Sequence, residues 1–368
     1  MHKENTKTIL EIARHDMEIC NACRYCEILC PVFPEITNFR VFSDNDLYYL
    51  SNLCHNCKGC YHSCQYAPPH EFSLNIPKTF ADLRVASYIN YAFPSFLGKL
   101  FSKNGTIVSL MIAISLALVF IAGVMFNNAD SIFVAYSGEG SFYNVIPIKL
   151  MSGVSILIWI HIMIAFIVGF KRFWVENGDK LSDLFDGSSW KQSLKDVATL
   201  KHLDGGDNGH GCNHVNERFS HSRRTYHQFV MYGFGLTLVS TTIAAVYHYI
   251  LGQGAPYEYF SAPVITGTIG GILVVIGAIG LTVIKLKADK EPMSEKLFGM
   301  DFSFIALLFF VNLTGLLLLF LREGELMPIL LCIHLGFVLA FFLILPYCKF
   351  VHALYRFGAL LKYNSRNK

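Results

Sequence analysis

The sequence predicts a mostly α-helical protein: a small cysteine-rich helical domain first, then a bundle of six membrane-crossing helices. Three observations carry this. Eight of the eleven cysteines fall before residue 65 in two copies of one spacing, six apolar stretches of membrane-crossing length follow, and Lys and Arg crowd into alternate connections. The expected division is residues 1–80 for the cysteine domain, 81–105 for a linker, 106–352 for the membrane domain with a loop at 171–226, and 353–368 for a tail.

The first motif is Cys20, Cys23, Cys26 and Cys30, C-x2-C-x2-C-x3-C, with Pro31 directly after. Cys54, Cys57, Cys60 and Cys64 repeat the offsets, followed by Gln65. This is the two-cluster [4Fe–4S] ferredoxin pattern, in which the fourth cysteine of each run usually serves the other cluster. Cys20, Cys23, Cys26 and Cys64 are therefore expected at one cluster, and Cys54, Cys57, Cys60 and Cys30 at the other. A disulfide framework would suit a small secreted domain, and no cleavable signal peptide is visible. A zinc site closes with four ligands and has no use for eight at doubled spacing. Between the motifs, Ser43-Asp44-Asn45-Asp46 precedes Leu47-Tyr48-Tyr49-Leu50, polar capping residues ahead of apolar ones, which predicts a helix start. The domain is thus expected to be of the helical ferredoxin type found in respiratory iron–sulfur subunits. Pro68 to Pro77 is expected as an extended connection to the membrane half.

Composition gives the second part. Hydrophobic residues make up 53% of the chain and charged residues 15%, with 31 phenylalanines; soluble domains usually carry about 25% charged residues. The deficit lies in Thr106–Phe126, Leu150–Phe170, His227–Ile250, Pro263–Ile284, Phe302–Leu321 and Ile329–Phe350, each close to the ~20 residues that cross ~30 Å of hydrocarbon. The connections after the second and fourth stretches and the C-terminal segment hold most of the Lys and Arg, from Lys171 to Arg224, from Lys285 to Lys296, and from Lys349 on. The opposite loops hold only Lys149 and Arg322. The positive-inside rule then places both termini and the cysteine domain in the cytoplasm, in a bacterial inner membrane. The net charge of +3 is uninformative beside this distribution, and no basic stripe with interleaved aromatics suggests nucleic acid. Gly267, Gly270, Gly271, Gly277 and Gly280 in the fourth stretch fit close helix packing in lipid, since no strand precedes them to make a phosphate loop.

Histidines at membrane depth are costly and usually functional. His334 and His352 lie eighteen positions apart on the sixth stretch, about 27 Å if helical. The third stretch runs the other way, with His227 and His248 at its ends. An antiparallel pair would set His248 against His334 and His227 against His352, as bis-histidine haem requires, and the outer pair is the better placed. His161, near the middle of the second stretch, is unpaired in depth and is either an alternative ligand or a group serving a quinone.

With C-x2-C-x2-C-x3-C-P, then C-H-N-C-K-G-C-Y-H-S-C-Q-Y-A-P-P-H-E-F, then six membrane helices, Ala255-Pro256-Tyr257 and Pro346-Tyr347-Cys348-Lys349-Phe350-Val351-His352, the chain resembles the tricarballylate (citrate) utilization protein B family over nearly its whole length. The resemblance implies a membrane electron-transfer protein that oxidises the reduced flavin of a separate FAD-dependent tricarballylate dehydrogenase. Electrons would pass through two [4Fe–4S] clusters and one or two b haems to the quinone pool, a flavoprotein:quinone oxidoreductase role. More distantly, His334-Leu335-Gly336 with His352 after Pro346 is similar to the last helix of the nitrate reductase gamma subunit, although the gap from His227 to His248 is wider here.

The 171–226 loop holds His202, His210, Cys212, His214 and His221. H-x-C-x-H is tighter than structural zinc spacings, so the loop reads better as a docking element for the cysteine domain or the flavoprotein than as a metal site. The chain lacks a dinucleotide fingerprint, G-x-S-x-G and a P-loop, so substrate chemistry on a flavin is expected elsewhere. Two other functions compete: a carboxylate transporter with an accessory iron–sulfur sensor, for which no clear repeat of halves is seen, and a redox protein servicing other metalloenzymes.

Overall fold

The computed structural model describes residues 2–101, 104–126, 132–178, 184, 186–204, 213–216 and 218–367. Among these the protein is helical, with no strand. The cysteine domain is built by α1 (His2–Cys23), α2 (Val32–Ile36), α3 (Asp44–Leu53), α4 (Gly59–His62) and α5 (Ile76–Tyr91), followed by the short α6 (Ser95–Leu100). α3 starts where its capping residues predict. The Ser43 hydroxyl accepts from Asp46 N, the Asp46 carboxylate accepts from Ser43 N, and every residue from Leu47 to Leu53 is buried. Cys54 ends this helix in extended backbone, so the second cysteine run abuts it.

The expected linker at 81–105 is not a loose connection. α5 starts inside the supposed extension, with Pro77 in its first turn, where its missing N–H costs nothing. It runs to Tyr91 with Phe80, Leu83, Arg84, Tyr88 and Tyr91 buried. Phe80, Leu83, Tyr88 and Tyr91 share one core with Met17, Phe33 and Leu50 of the cysteine domain and with Phe173, Met300, Val351 and Tyr355 of the membrane half. The two parts therefore meet through a common apolar core.

Six helices are long and apolar enough to cross a membrane, which makes this a multi-pass membrane protein. They are α7 (Asn104–Phe126), α8 (Ile148–Glu176), α10 (Ser222–Tyr249), α11 (Ala262–Lys287), α12 (Glu295–Leu321) and α13 (Met327–Ile344). The short α9 (Gly187–Thr199) lies in the connection between α8 and α10. The glycines of α11 act as packing residues: a Cβ on Gly233 would sit 2.7 Å from the Gly270 carbonyl, and one on Gly277 2.8 Å from the Tyr226 carbonyl. Only hydrogen at these positions lets α10 and α11 approach so closely.

The sixth stretch is not one continuous helix. α13 stops at Ile344, a 3-10 turn covers Leu345–Tyr347, and α14 (Val351–Arg366) begins afresh. Pro346 supplies no N–H and its ring clashes with the preceding turn, which ends a helix. Lys349, just past the turn, contacts the Asp301 carboxylate of α12 at 2.8 Å, and Lys285 of α11 contacts the other oxygen at 2.5 Å. The expected tail at 353–368 is thus a helix that packs on α3 and α9.

Candidate functional site

Folding brings the eight cysteines into two quartets. Cys20, Cys23, Cys26 and Cys64 line one pocket, with Tyr25, Tyr66 and Gln65. Cys30, Cys54, Cys57 and Cys60 line a second, with Val32, Ile76 and Phe80. Phe33 lines both, so the two are neighbours. These are the crossed sets that the spacing predicts. Among the described residues no three His, Cys, Asp or Glu converge tightly enough for a single metal ion.

Backbone geometry serves the second pocket. Asn56 (φ 54°) and Lys58 (φ 66°) adopt the left-handed conformation that side chains disfavour, curling the Cys54–Cys57 loop so that Asn56 N donates to Cys54 Sγ at 3.4 Å. In the first pocket Tyr66 N donates to Cys64 Sγ at 3.3 Å and Gln65 Nε2 to Cys23 Sγ at 3.7 Å. Donors aimed at sulfur stabilise thiolate and tune cluster potential. With the sulfurs left as thiols, burial pushes the Cys26 thiol up to about 12, with Cys64 and Cys23 adding repulsion. Burial, then Cys57 and Cys54, pushes Cys30 up likewise. Sulfurs that repel one another across a pocket are the donor set an iron-rich cation neutralises.

The pockets differ in exposure. Tyr25, beside the first, is 67% exposed, whereas Cys54 and Cys57 in the second are buried. The second is gripped from both halves. Arg356 of α14 donates to the Cys54 carbonyl at 3.0 Å, Arg84 of α5 to the same carbonyl at 2.8 Å, and Arg223 of α10 to the Asn56 carbonyl at 2.7 Å. Burial, then Arg356 and His202, holds His55 well below the usual imidazole range, hence neutral.

Two of these arginines neighbour the expected inner histidines. His227 follows Arg223 by one turn of α10, and His352 precedes Arg356 by one turn of α14. The two imidazole centroids lie 6.1 Å apart, at 84°. Two metal–nitrogen bonds of about 2 Å each, plus two half-rings, need a separation of about that size. His352 Nδ1 faces the Lys349 carbonyl at 2.5 Å, which leaves Nε2 to ligate. His227 Nδ1 is buried without a partner.

The outer histidines, expected as the better pair, are not brought together. Phe234 of α10 meets Phe341 of α13 at 5.7 Å. From that level His248 lies fourteen residues out, about 21 Å, but His334 only seven, about 10 Å. His248 pairs with Tyr143 Oη at 3.2 Å. His334 Nδ1 pairs with Thr314 Oγ1 at 3.2 Å and packs against Gly315. The expectation assumed a straight sixth helix; the break at Pro346 puts His352 on a separate helix and separates its depth from that of His334. His161 bonds Tyr347 Oη at 2.9 Å.

The 171–226 loop packs on the cysteine domain. Asn213 N donates to the Cys57 carbonyl at 3.1 Å, Leu203 packs on Cys57, and the His202 ring lies 5.6 Å from that of His55. His210 and Cys212 fall outside the described residues. The three arginines were not anticipated. For two of them a signal was present in the i, i+4 spacing of Arg223 with His227 and of His352 with Arg356, which puts cation and imidazole on one helix face.

Residues 102–368 match the family model of Citrate utilization protein B, and residues 13–90 match that of the Citrate utilization protein B Fer4-like domain. A Citrate utilization protein B from Escherichia coli is 41% identical over 350 residues, covering 94% of this chain and 90% of that protein. No solved structure matches. The paired cysteine quartets, the six apolar helices and these matches agree, and the chain belongs to the citrate utilization protein B family.

Proposed function

We propose that this chain is a membrane electron-transfer subunit, a flavoprotein:quinone oxidoreductase. It takes electrons from the reduced flavin of a partner tricarballylate dehydrogenase and delivers them to quinone. The observation that carries the reading is the Arg356 bond to Cys54, one turn from His352, which ties the second cysteine quartet directly to the paired histidines. Cys20, Cys23, Cys26 and Cys64 would hold one [4Fe–4S] cluster, Cys30, Cys54, Cys57 and Cys60 the other, and His227 with His352 a b-type haem. Bound there, these groups supply one-electron relay centres between a two-electron donor and a two-electron acceptor.

The chain's own residues do the rest. The exposed surface at Tyr25 puts the first quartet where a soluble donor can approach. Phe33 separates the quartets, and Phe80 and Ile76 keep water from the second. Arg84, Arg356 and Arg223 fix the Cys54–Cys57 loop against the bundle and place positive charge beside sulfurs that carry negative charge. The neutral His55 adds no charge of its own. The excess of Lys and Arg on the cysteine-domain side supports a cytoplasmic placement of both termini in a bacterial inner membrane.

Optical and EPR spectra of the purified protein test the proposal. Two [4Fe–4S] signals and one b-type haem band are expected, all reduced on adding the partner flavoprotein and its acid. Intact clusters without haem would overturn the histidine assignment. Zinc in place of iron would overturn the whole reading.

A further inference from the structure

His161 of α8 stands apart from both the quartets and the histidine pair, and its setting is specific. Tyr347 Oη donates to the Phe93 carbonyl at 2.9 Å, and the His161 Nε2 to Tyr347 Oη distance is also 2.9 Å. With the phenol proton committed to Phe93, its oxygen accepts from His161 Nε2–H. Nε2 thereby carries a proton and Nδ1 points away from Tyr347, and Nδ1 has no partner among the described residues. Tyr347 is itself fixed by the 3-10 turn and by Phe101, which stacks on it at 5.3 Å and 12°.

The position is equally specific. One side of α8 here is buried, with Ile162 and Ala165 in the protein. The other faces lipid, with Leu157 69%, Ile160 52% and Ile164 47% exposed. His161 lies on the seam between them, where an amphipathic molecule dissolved in the bilayer can reach a polar group. Phe166, five residues along α8, stacks on Phe350 at 6.1 Å and 12°, and Phe350 is two residues from His352. An ionisable side chain at such a depth is costly unless it serves a pathway.

We propose that His161, oriented by Tyr347, is the quinone-reducing site, entered from lipid between α8 and the Pro346 turn. The assignment rests on the electron-transfer reading above. The ligand class is a lipid-soluble benzoquinone or naphthoquinone, one carbonyl oxygen of which meets His161 Nδ1. In the reaction the quinone gains two electrons, which originate in the reduced flavin of the partner, and two protons. One proton is transferred from Nδ1–H of the imidazolium form of His161 to the bound oxygen, forming an O–H bond and leaving the neutral tautomer. The second is taken up from hydronium of the aqueous phase as the reduced quinone leaves the site, so that no hydroxide is left behind. The neutral tautomer then accepts the new O–H as a hydrogen bond until the quinol leaves, and solvent reprotonates Nδ1. His161 is the catalytic residue in this scheme, and Tyr347 is a positioning residue.

The test uses the complete cluster- and haem-loaded protein in detergent or proteoliposomes, reduced with dithionite and mixed with a short-chain quinone. His161→Gln keeps the side chain's bulk and polarity. It is expected to leave reduction of the metal centres unchanged and to slow their reoxidation by quinone about 100-fold, the size of a lost general acid. Tyr347→Phe is expected to raise the KM for quinone several-fold with a smaller effect on kcat, since it frees the ring without removing the proton donor. A photoreactive azidoquinone should label peptides around residues 157–164 and 342–350, with labelling suppressed in His161→Gln. Wild-type reoxidation rates in His161→Gln, or labelling confined to other helices, would overturn this site while leaving the electron-transfer reading standing. Wild-type protein whose reduced centres are not reoxidised by any quinone would overturn both.

Discussion

His227 and His352 face each other with ring centroids 6.1 Å apart, each one helical turn from an arginine that holds the Cys54–Cys57 loop. The histidines belong to helices separated by more than a hundred residues. The loop that both arginines grip is therefore the element that joins the two halves of the proposed relay.

His227→Ala or His352→Ala should each abolish the b-type absorbance while leaving both cluster EPR signals intact. His248→Ala should leave the haem band unchanged, because that ring is already held by Tyr143. An unchanged spectrum for His352→Ala together with a lost one for His248→Ala would reverse the pairing.

The quartets make a crossed prediction for iron content. Cys64→Ala should weaken the same EPR signal as Cys20→Ala, and Cys30→Ala the same signal as Cys57→Ala. If Cys64→Ala instead matched Cys57→Ala, each cluster would draw on its own sequence run.

Removing Arg356 leaves the buried Cys54 carbonyl with Arg84 alone. A hydrogen bond to a charged group contributes roughly 2 kcal/mol. Arg356→Ala should therefore lower the thermal midpoint and broaden the EPR signal of the second cluster, with the first unaffected. Equal damage to both signals would locate the effect in global unfolding.

Burial, then Arg223 and Lys58, holds His214 well below the usual imidazole range. Its docked form is neutral, so the undocked loop binds the extra proton. Docking of the 213–216 segment on Cys57 is thus fully supported above the ordinary imidazole value of about 6.5 and weakens as pH falls below it. The protection factor of Asn213 N, its exchange rate relative to the intrinsic rate at each pH, should fall between pH 7.5 and pH 5.5, and His214→Asn should remove that pH dependence.

Pro346→Ala restores a backbone N–H at the break, and proline in a helix interior costs about 3 kcal/mol. The variant should let α13 extend and carry His352 away from His227, with the haem band lost and the clusters kept. A retained band would show that the Asp301–Lys349 contact and its neighbours hold the turn without the proline.

The grouping of the cysteines was legible because the spacing rules of cluster-binding runs survive in one dimension, and the crossing of Cys30 and Cys64 follows from the same rules. The six helices were legible from length and hydropathy, and the α11 glycines from their spacing. The outer histidine pair was misread because depth was counted along an assumed straight helix, whereas Pro346 breaks it. The helix within residues 81–91 was not legible because α5 mixes buried Tyr, Arg and Ser with apolar residues, which blurs its periodicity. Arg84 in particular is buried by tertiary hydrogen bonds to the Ser51 and Cys54 carbonyls, partners that sequence cannot bring together.

α14 carries His352, Arg356 and, at its far end, Lys362 and Arg366. Lys362 donates to the Asn177 carbonyl, and Arg366 pairs with the fully buried Glu35 at 2.9 Å. The cysteine domain thus finds part of its seat on a helix that follows the membrane-crossing helices in chain order. Folding of N-terminal units commonly comes first; here Arg84 can hold the cysteine loop early, and the Arg356 contact is added only after the bundle is threaded. The final seating of the cysteine loop is thereby coupled to completion of the membrane part.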